Sequence, residues 1–331
     1  MKFLITIDTE GDNQWDHGRD LTVENIKHVP RFQELCEKYA IKPTYLVTSE
    51  VCEDSYSQDI FSSYIKNEKA EVGAHLHTWT TPPFQDKENY RFNDRNHAFA
   101  TEFPENIIDQ KLKNLTNQIE QSFGKRPLSF RSGRFGFDER VARILVDNGY
   151  LVDSSVTPYT NWTPYKGMAE GNGGPDFRDL TSFSYTYTFN NGSLLEIPVT
   201  ILPTKFPLNA HQSIAKEYFK RVDNNIVLRG LRKLFLQNQP LWLRPYLFMD
   251  IRLFEEIINE AVKIKLPFLV MMFHSSELMP GCSKYRKDED SVEKLFELLE
   301  QLFILIVNKQ IISVSLTEAA KVEKYEGLLL G

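Results

Sequence analysis

The 331-residue chain has little cysteine, no excess of positive charge and no long apolar run. Its three cysteines, Cys36, Cys52 and Cys282, are odd in number and match neither the spacing of a zinc ribbon nor a redox CxxC pair. They read as free thiols of a reducing compartment. Lys+Arg number 39 against 45 for Asp+Glu, a formal charge of -6, which removes the electrostatic case for nucleic acid or an anionic membrane surface as partner. No apolar stretch reaches the length of a transmembrane segment. The opening MKFLITIDTEGDNQW has one lysine and breaks its apolar run at Asp8 and Glu10, so no signal peptide is expected and the expected location is cytoplasmic. Internal repeats and low-complexity tracts are also missing.

What is present is an alternation of short β-rich runs with helical patterns. The strand candidates are FLITID, PTYLVTS, AEVGAHLH, PLSFRSG, YLVDSSV, PFLVMMFHS and IISVSL. Between them lie amphipathic stretches such as VENIKHVPRFQELCEKYA, in which Ile26, Val29, Phe32, Leu35, Cys36 and Tyr39 recur at helical spacing despite Pro30. PENIIDQKLKNLTNQIEQSFG carries Ile108, Leu112, Leu115, Ile119 and Phe123 on one face and stops at Gly124. Repeated βα units predict a parallel sheet, and about seven or eight of them favour a TIM-like barrel over an open sheet. We expect one α/β domain over residues 1–331. Residues 157–250 break the rhythm and read as an insertion: a loop at GNGGPDF, a hairpin turning at Asn190-Asn191-Gly192, and a basic helical stretch over 211–238.

In a parallel barrel, chemistry collects at the C-terminal ends of the strands. There the sequence places Asp8, Glu10 and Asp12, then His75 and His77, then Arg131 and Arg134, and finally His274. Side chains two apart on a strand share a face, so His75 and His77 can offer two imidazoles to one ion. A carboxylate from the amino-terminal cluster would complete a site with an open coordination position. The bland reading of HxH is a pair of hydrogen-bonded core histidines. Three acids at a neighbouring strand end tip the balance toward a metal, because clustered carboxylates repel without a cation. Arg131 is placed to orient a carboxylate by paired hydrogen bonds, and His274 to act as a general acid. Arg134 is either a substrate contact or a surface charge. Trp15, Trp79 and Trp162 lie close to these motifs and offer flat apolar surfaces to a sugar ring.

Taken together, ITIDTEGD, EVGAHLHTW, FRSGRFG, YLVDSSV, LEIPVT and FHSSELMPG, in this order, resemble the five-motif pattern of the polysaccharide deacetylase family, the NodB-homology or carbohydrate esterase 4 group. The resemblance runs from about residue 2 to about residue 320, leaving 205–250 outside it. It implies a distorted (β/α)7 barrel that removes N-acetyl groups from amino sugars with a divalent metal, usually zinc. By motif, Asp8 is implied as the base, His75, His77 and an acid from Glu10 or Asp12 as metal ligands, Arg131 as the residue positioning the base, and His274 as the acid that protonates the departing amine. Two positions depart from the family pattern: Thr9 follows Asp8 where a second aspartate is usual, and the histidines are two apart rather than four. The expected partner is a carbohydrate, an N-acetylated amino sugar; the sequence does not specify an oligomeric state. Two other readings stand beside this one, a TIM-barrel amidohydrolase acting on a non-sugar amide and a catalytically inactive carbohydrate-binding barrel.

Overall fold

Strand β1 (Lys2–Thr9) organises the sheet, and every residue of it except Lys2 is buried, as a parallel strand covered on both faces requires. A computed structural model describes residues 1–12, 14, 21–84, 99–167, 171–205, 217 and 240–330, with the side chains of 324–330 excepted. The other strands are β2 (Pro43–Val47), β3 (Glu71–Leu76), β4 (Ser129–Ser132), β5 (Val152–Asp153), β6 (Tyr185–Phe189), β7 (Gly192–Glu196), β8 (Ile201–Leu202), β9 (Leu241–Trp242), β10 (Phe268–His274) and β11 (Ile312–Ser313). The main sheet runs β10-β1-β2-β3-β4-β5-β7-β6. All neighbours from β10 to β7 pair in parallel, and only β6 runs antiparallel. β11 pairs with Lys2 and Phe3, below the point where β2 begins.

The sheet curls back on itself, and the gap between β7 and β10 is bridged by isolated backbone bonds. Thr200 N donates to Val270 O at 3.1 Å, Leu243 N to Thr200 O at 2.9 Å and Met272 N to Leu243 O at 3.3 Å. The result is a distorted (β/α) barrel, the expected class. Inside it, Leu4, Leu46, Val152, Phe268 and Val270 form a plug closed from below by Leu316 and Ala319. Outside, the alternate residues Phe3, Ile5 and Ile7 are fully buried under the helices, each burial contributing about 1.5–3 kcal/mol.

The helices are α1 (Val29–Lys38), α2 (Ser49–Glu53), α3 (Ser55–Lys66), α4 (Glu105–Phe123), α5 (Glu139–Asp147), α6 (Ile251–Lys263), α7 (Glu289–Asn308) and α8 (Leu316–Leu330). Pro30 sits in the first turn of α1, where its missing N–H breaks no helical bond. Asp54, Asp138, Asp250 and Asp288 cap α3, α5, α6 and α7 by accepting a backbone N–H. Gly124 ends α4 with φ 71°, a left-handed value that suits glycine. Among the described residues no helix is long and apolar enough to cross a membrane.

One expectation needs correction. The hairpin forms where expected, but β7 pairs with β5 through Val152↔Leu195 and Asp153↔Glu196, so 192–196 is a barrel strand and not part of an insertion. The alternating SYTYT before it drew the whole hairpin into one reading, whereas Leu194, Leu195 and Glu196 are buried in the main sheet. Of the helical stretch expected over 211–238, all but Glu217 lies outside the described residues.

Candidate active site

The inward row of β1 is Leu4, Thr6, Asp8, so the period that buries Leu4 in the barrel plug also brings the Asp8 carboxylate to the mouth. Its register partner on β10 is His274, and on the other side of the sheet His75 lies opposite Arg131. Asp8 Oδ1 accepts from Arg131 Nη1 at 2.7 Å, while Oδ2 lies 3.9 Å from Nε2 of both His75 and His274. Arg131 is wholly buried and donates twice more, to Ser154 O at 2.7 Å and Ser154 Oγ at 3.0 Å. Burial pushes the Asp8 pKa up, but the guanidinium and the two imidazoles outweigh it and hold the group well below the usual carboxylate range. Asp8 is therefore held as a carboxylate at neutral pH.

Glu10, His75 and His77, all buried, bring one ligand atom each to within 4.8 Å of one another. Glu10 Oε2 lies 3.1 Å from His77 Nε2 and 3.8 Å from His75 Nε2. His75 Nδ1 is 3.0 Å from Arg131 O, and a carbonyl only accepts. The ring hydrogen must therefore sit on Nδ1, leaving a bare Nε2 toward Glu10. His77 stacks on Trp79, with centroids 4.2 Å apart, and Gly133 passes against its edge. A Cβ at 133 would stand 2.7 Å from His77 Cδ2 and from Leu76 O, so only glycine fits there.

The electrostatics of this trio fit a cation. Burial pushes Glu10 up to about 7 and both histidines down to about 4. The imidazoles are thus neutral at neutral pH, as ligands must be, and the carboxyl would surrender its proton readily to a positive ion. Two imidazoles and one carboxylate form a donor set suited to zinc and several other divalent ions. The sign of the pH effect follows. With the Glu10 carboxyl raised, an entering cation displaces a proton below about pH 7 and none well above it. Affinity is expected to be flat at alkaline pH and to fall about tenfold per unit below pH 7. Calorimetric titration in buffers of different ionisation enthalpy checks both the slope and the released proton.

Asp12, the other acid left open by the sequence, is placed elsewhere. Its Oδ2 accepts from Thr22 Oγ1 at 2.7 Å and Glu24 N at 2.8 Å, and its Oδ1 from Asn25 N at 2.9 Å. These hydrogen bonds outweigh its partial burial and lower its pKa. Asp12 ties down the loop after β1, because the strand's period of two does not extend past Thr9. Trp79, Arg134 and Trp162 line a cleft of about 440 Å³ together with Asp8 and His75. Trp79 has one face against His77 and its N–H 3.3 Å from Gln14 Oε1. Arg134 holds its guanidinium carbon 4.6 Å over the Phe99 ring, and Trp162 stacks on Phe135. Trp15 lies outside the described residues.

Three further residues support the site without having been singled out from the sequence. Arg244 and Glu277 both contact His274 Nδ1, at 2.9 and 3.3 Å. Lys111 is buried, and its ammonium donates to Thr78 O, Thr81 O and Pro83 O at 2.6–2.8 Å, pinning the loop that follows the two histidines. Burial pushes its pKa down to about 8. A lysine three after Ile108 and four before Leu115 stands on the apolar face of α4, and that was its signal.

No protein-family model matches the chain, and no curated protein matches it by sequence. Solved structures do. A Mycobacterium smegmatis protein provisionally described as a polysaccharide deacetylase matches with a TM-score of 0.55 at 11% identity, over 98% of this chain and 91% of that one. The Puue allantoinase matches with a TM-score of 0.51 at 13% identity, over 97% of this chain and 88% of that one. A 4-alpha-glucanotransferase from Thermococcus litoralis gives 0.51 at 11%, over 97% of this chain but 38% of that one. At such identities the likeness establishes the fold alone, and the three descriptions name three different reactions.

Proposed function

We propose that this barrel, which shares the fold of a polysaccharide deacetylase-type structure, is a hydrolase that removes an N-acyl group, acetyl first of all, from an amino sugar. The observation that carries the reading is Asp8. It is ionised, tied to Arg131 through one oxygen, and turns the other toward His75 of the ligand trio and toward His274.

A divalent cation held by Glu10, His75 and His77, with zinc the first expectation, would acidify a water and polarise the acyl oxygen. The chain's own residues do the rest. Asp8, a weak base because Arg131 stabilises its charge, is placed to take a proton from an attacking water as the water oxygen bonds to the acyl carbon. The C–N bond then breaks, and the proton gained by Asp8 ends on the departing nitrogen, so that it leaves as a neutral amine. His274 faces that nitrogen from the β10 side. Arg131 keeps the Asp8 oxygen aimed, and Trp162 and Phe135 supply a wall for the sugar ring. The substrate is expected inside the cell, as a glycan precursor, a reading supported by three buried free cysteines.

The test is acetate release from a panel of N-acetylated sugar nucleotides and oligosaccharides by zinc-loaded protein. Asp8→Asn is expected to lower kcat by about 10²–10⁴ with zinc content unchanged. The allantoinase likeness keeps a small cyclic amide as a second reading. Ring opening of such an amide without acetate release would select it, and loaded protein inert toward both classes would count against hydrolysis altogether.

A further inference from the structure

We propose that Arg244 is a positioning residue that fixes the tautomer of His274, giving it the opposite hydrogen placement from His75. Arg244 is 5% exposed. Its Nη2 lies 2.9 Å from His274 Nδ1 and 2.8 Å from Glu277 Oε1. A guanidinium nitrogen has hydrogens to donate and no lone pair to accept with, so the imidazole nitrogen facing it is the acceptor. The ring hydrogen then sits on Nε2, the nitrogen 3.9 Å from Asp8 Oδ2 at the cleft.

Glu277 Oε1, 3.3 Å from the same Nδ1, would favour the other tautomer. That oxygen is already engaged, accepting from Arg244 at 2.8 Å and from the His274 backbone N–H at 3.2 Å. Arg244 itself has little freedom to leave. Its guanidinium carbon lies 5.0 Å from the ring centroids of both Tyr246 and Tyr285, and its Nη1 is 3.2 Å from Met272 Sδ.

The contrast with His75 gives the arrangement its meaning. A carbonyl behind His75 forces the hydrogen to Nδ1 and leaves a lone pair at the cleft for a cation. A guanidinium behind His274 does the reverse and presents an N–H. The third histidine at the mouth therefore does not compete with Glu10, His75 and His77 for the ion, and offers a hydrogen-bond donor to the departing nitrogen. The tautomer rests on these contacts alone; its use in catalysis rests on the proposed hydrolase reading.

Long-range proton–nitrogen NMR of the full, zinc-loaded chain with ¹⁵N-histidine reads the ring directly, with His274 identified by the signals lost in His274→Gln. The expected result is a pyrrole-type Nε2 and a pyridine-type Nδ1 for His274, and a pyrrole-type Nδ1 for His75. Arg244→Met, checked for folding by circular dichroism, is expected to move the His274 hydrogen toward Nδ1, and Arg244→Lys to restore it. On an active substrate Arg244→Met is expected to lower kcat about 10- to 100-fold, the range for supporting contacts to a site histidine, with KM little changed. A wild-type His274 hydrogenated on Nδ1 would overturn the proposal without needing any variant to fold, as would a folded Arg244→Met with an unchanged tautomer. The NMR result stands even if the protein releases acetate from nothing.

Discussion

Alanine at His75 or at His77 is expected to abolish stoichiometric zinc uptake. The trio provides only three protein ligands, and each imidazole is held neutral with Nε2 near Glu10. Removing a supporting contact of a ligand typically costs about 10- to 100-fold in affinity, so removing a ligand outright should cost about 100-fold or more. The two replacements should not be equal in stability. His75→Ala also removes the hydrogen bond that His75 Nδ1 donates to Arg131 O, whereas His77 Nδ1 has no hydrogen-bond partner among the described residues. His75→Ala is thus expected to be the less stable of the two by about 0.5–1.5 kcal/mol, the net contribution of one hydrogen bond. Metal analysis of purified protein and urea unfolding in chelator measure the two effects separately. Full zinc occupancy in both variants would remove the trio from consideration as a cation site.

Arg131→Met carries the largest expected effect on stability. The guanidinium makes a 2.7 Å ion pair with Asp8 and two contacts to Ser154, with no exposure at all. Methionine would fill much of the space but leave the Asp8 carboxylate buried without the guanidinium that chiefly stabilises its charge, a change that costs about 3–5 kcal/mol. The pH dependence gives the mechanism away. The Asp8 pKa is held below its ordinary 3.8 in the folded chain, so its contribution is fully present above that pH and is lost as pH falls through the lowered value. The gap between wild type and variant should be widest near neutrality and shrink below 3.8. A gap independent of pH would mean that packing, and not charge, is what Arg131 supplies.

How much of this was legible depends on how far apart the partners lie. β1, β3 and β10 announce themselves as apolar runs ending in polar pairs, and a period of two suffices to put Asp8, His75 and His274 on inward rows. The choice between Glu10 and Asp12 was not legible, since it turns on where the chain leaves the strand. In the structure Glu10 lies beside His75 and His77, while Thr22, Glu24 and Asn25 donate hydrogen bonds to Asp12. Arg244 lies 30 residues before His274, and Lys111 lies 33 after Thr78. Neither sits in a local pattern naming its partner, because a buried cation on a distant segment acquires meaning only when the fold brings an acceptor to it.

The bridged gap in the ring has a mechanical side. From β10 through β1 to β5 the ladder is unbroken, so Asp8, His75, Arg131 and His274 ride on one stiff staff. Thr200 and Leu243 are stitched across with a few scattered bonds, and Arg244 follows directly on that stitching. Give in the barrel wall is thereby concentrated in a clasp. A distortion of that clasp would leave the spacing among the groups on the staff as it was, and would be felt first in the contact of Arg244 with His274.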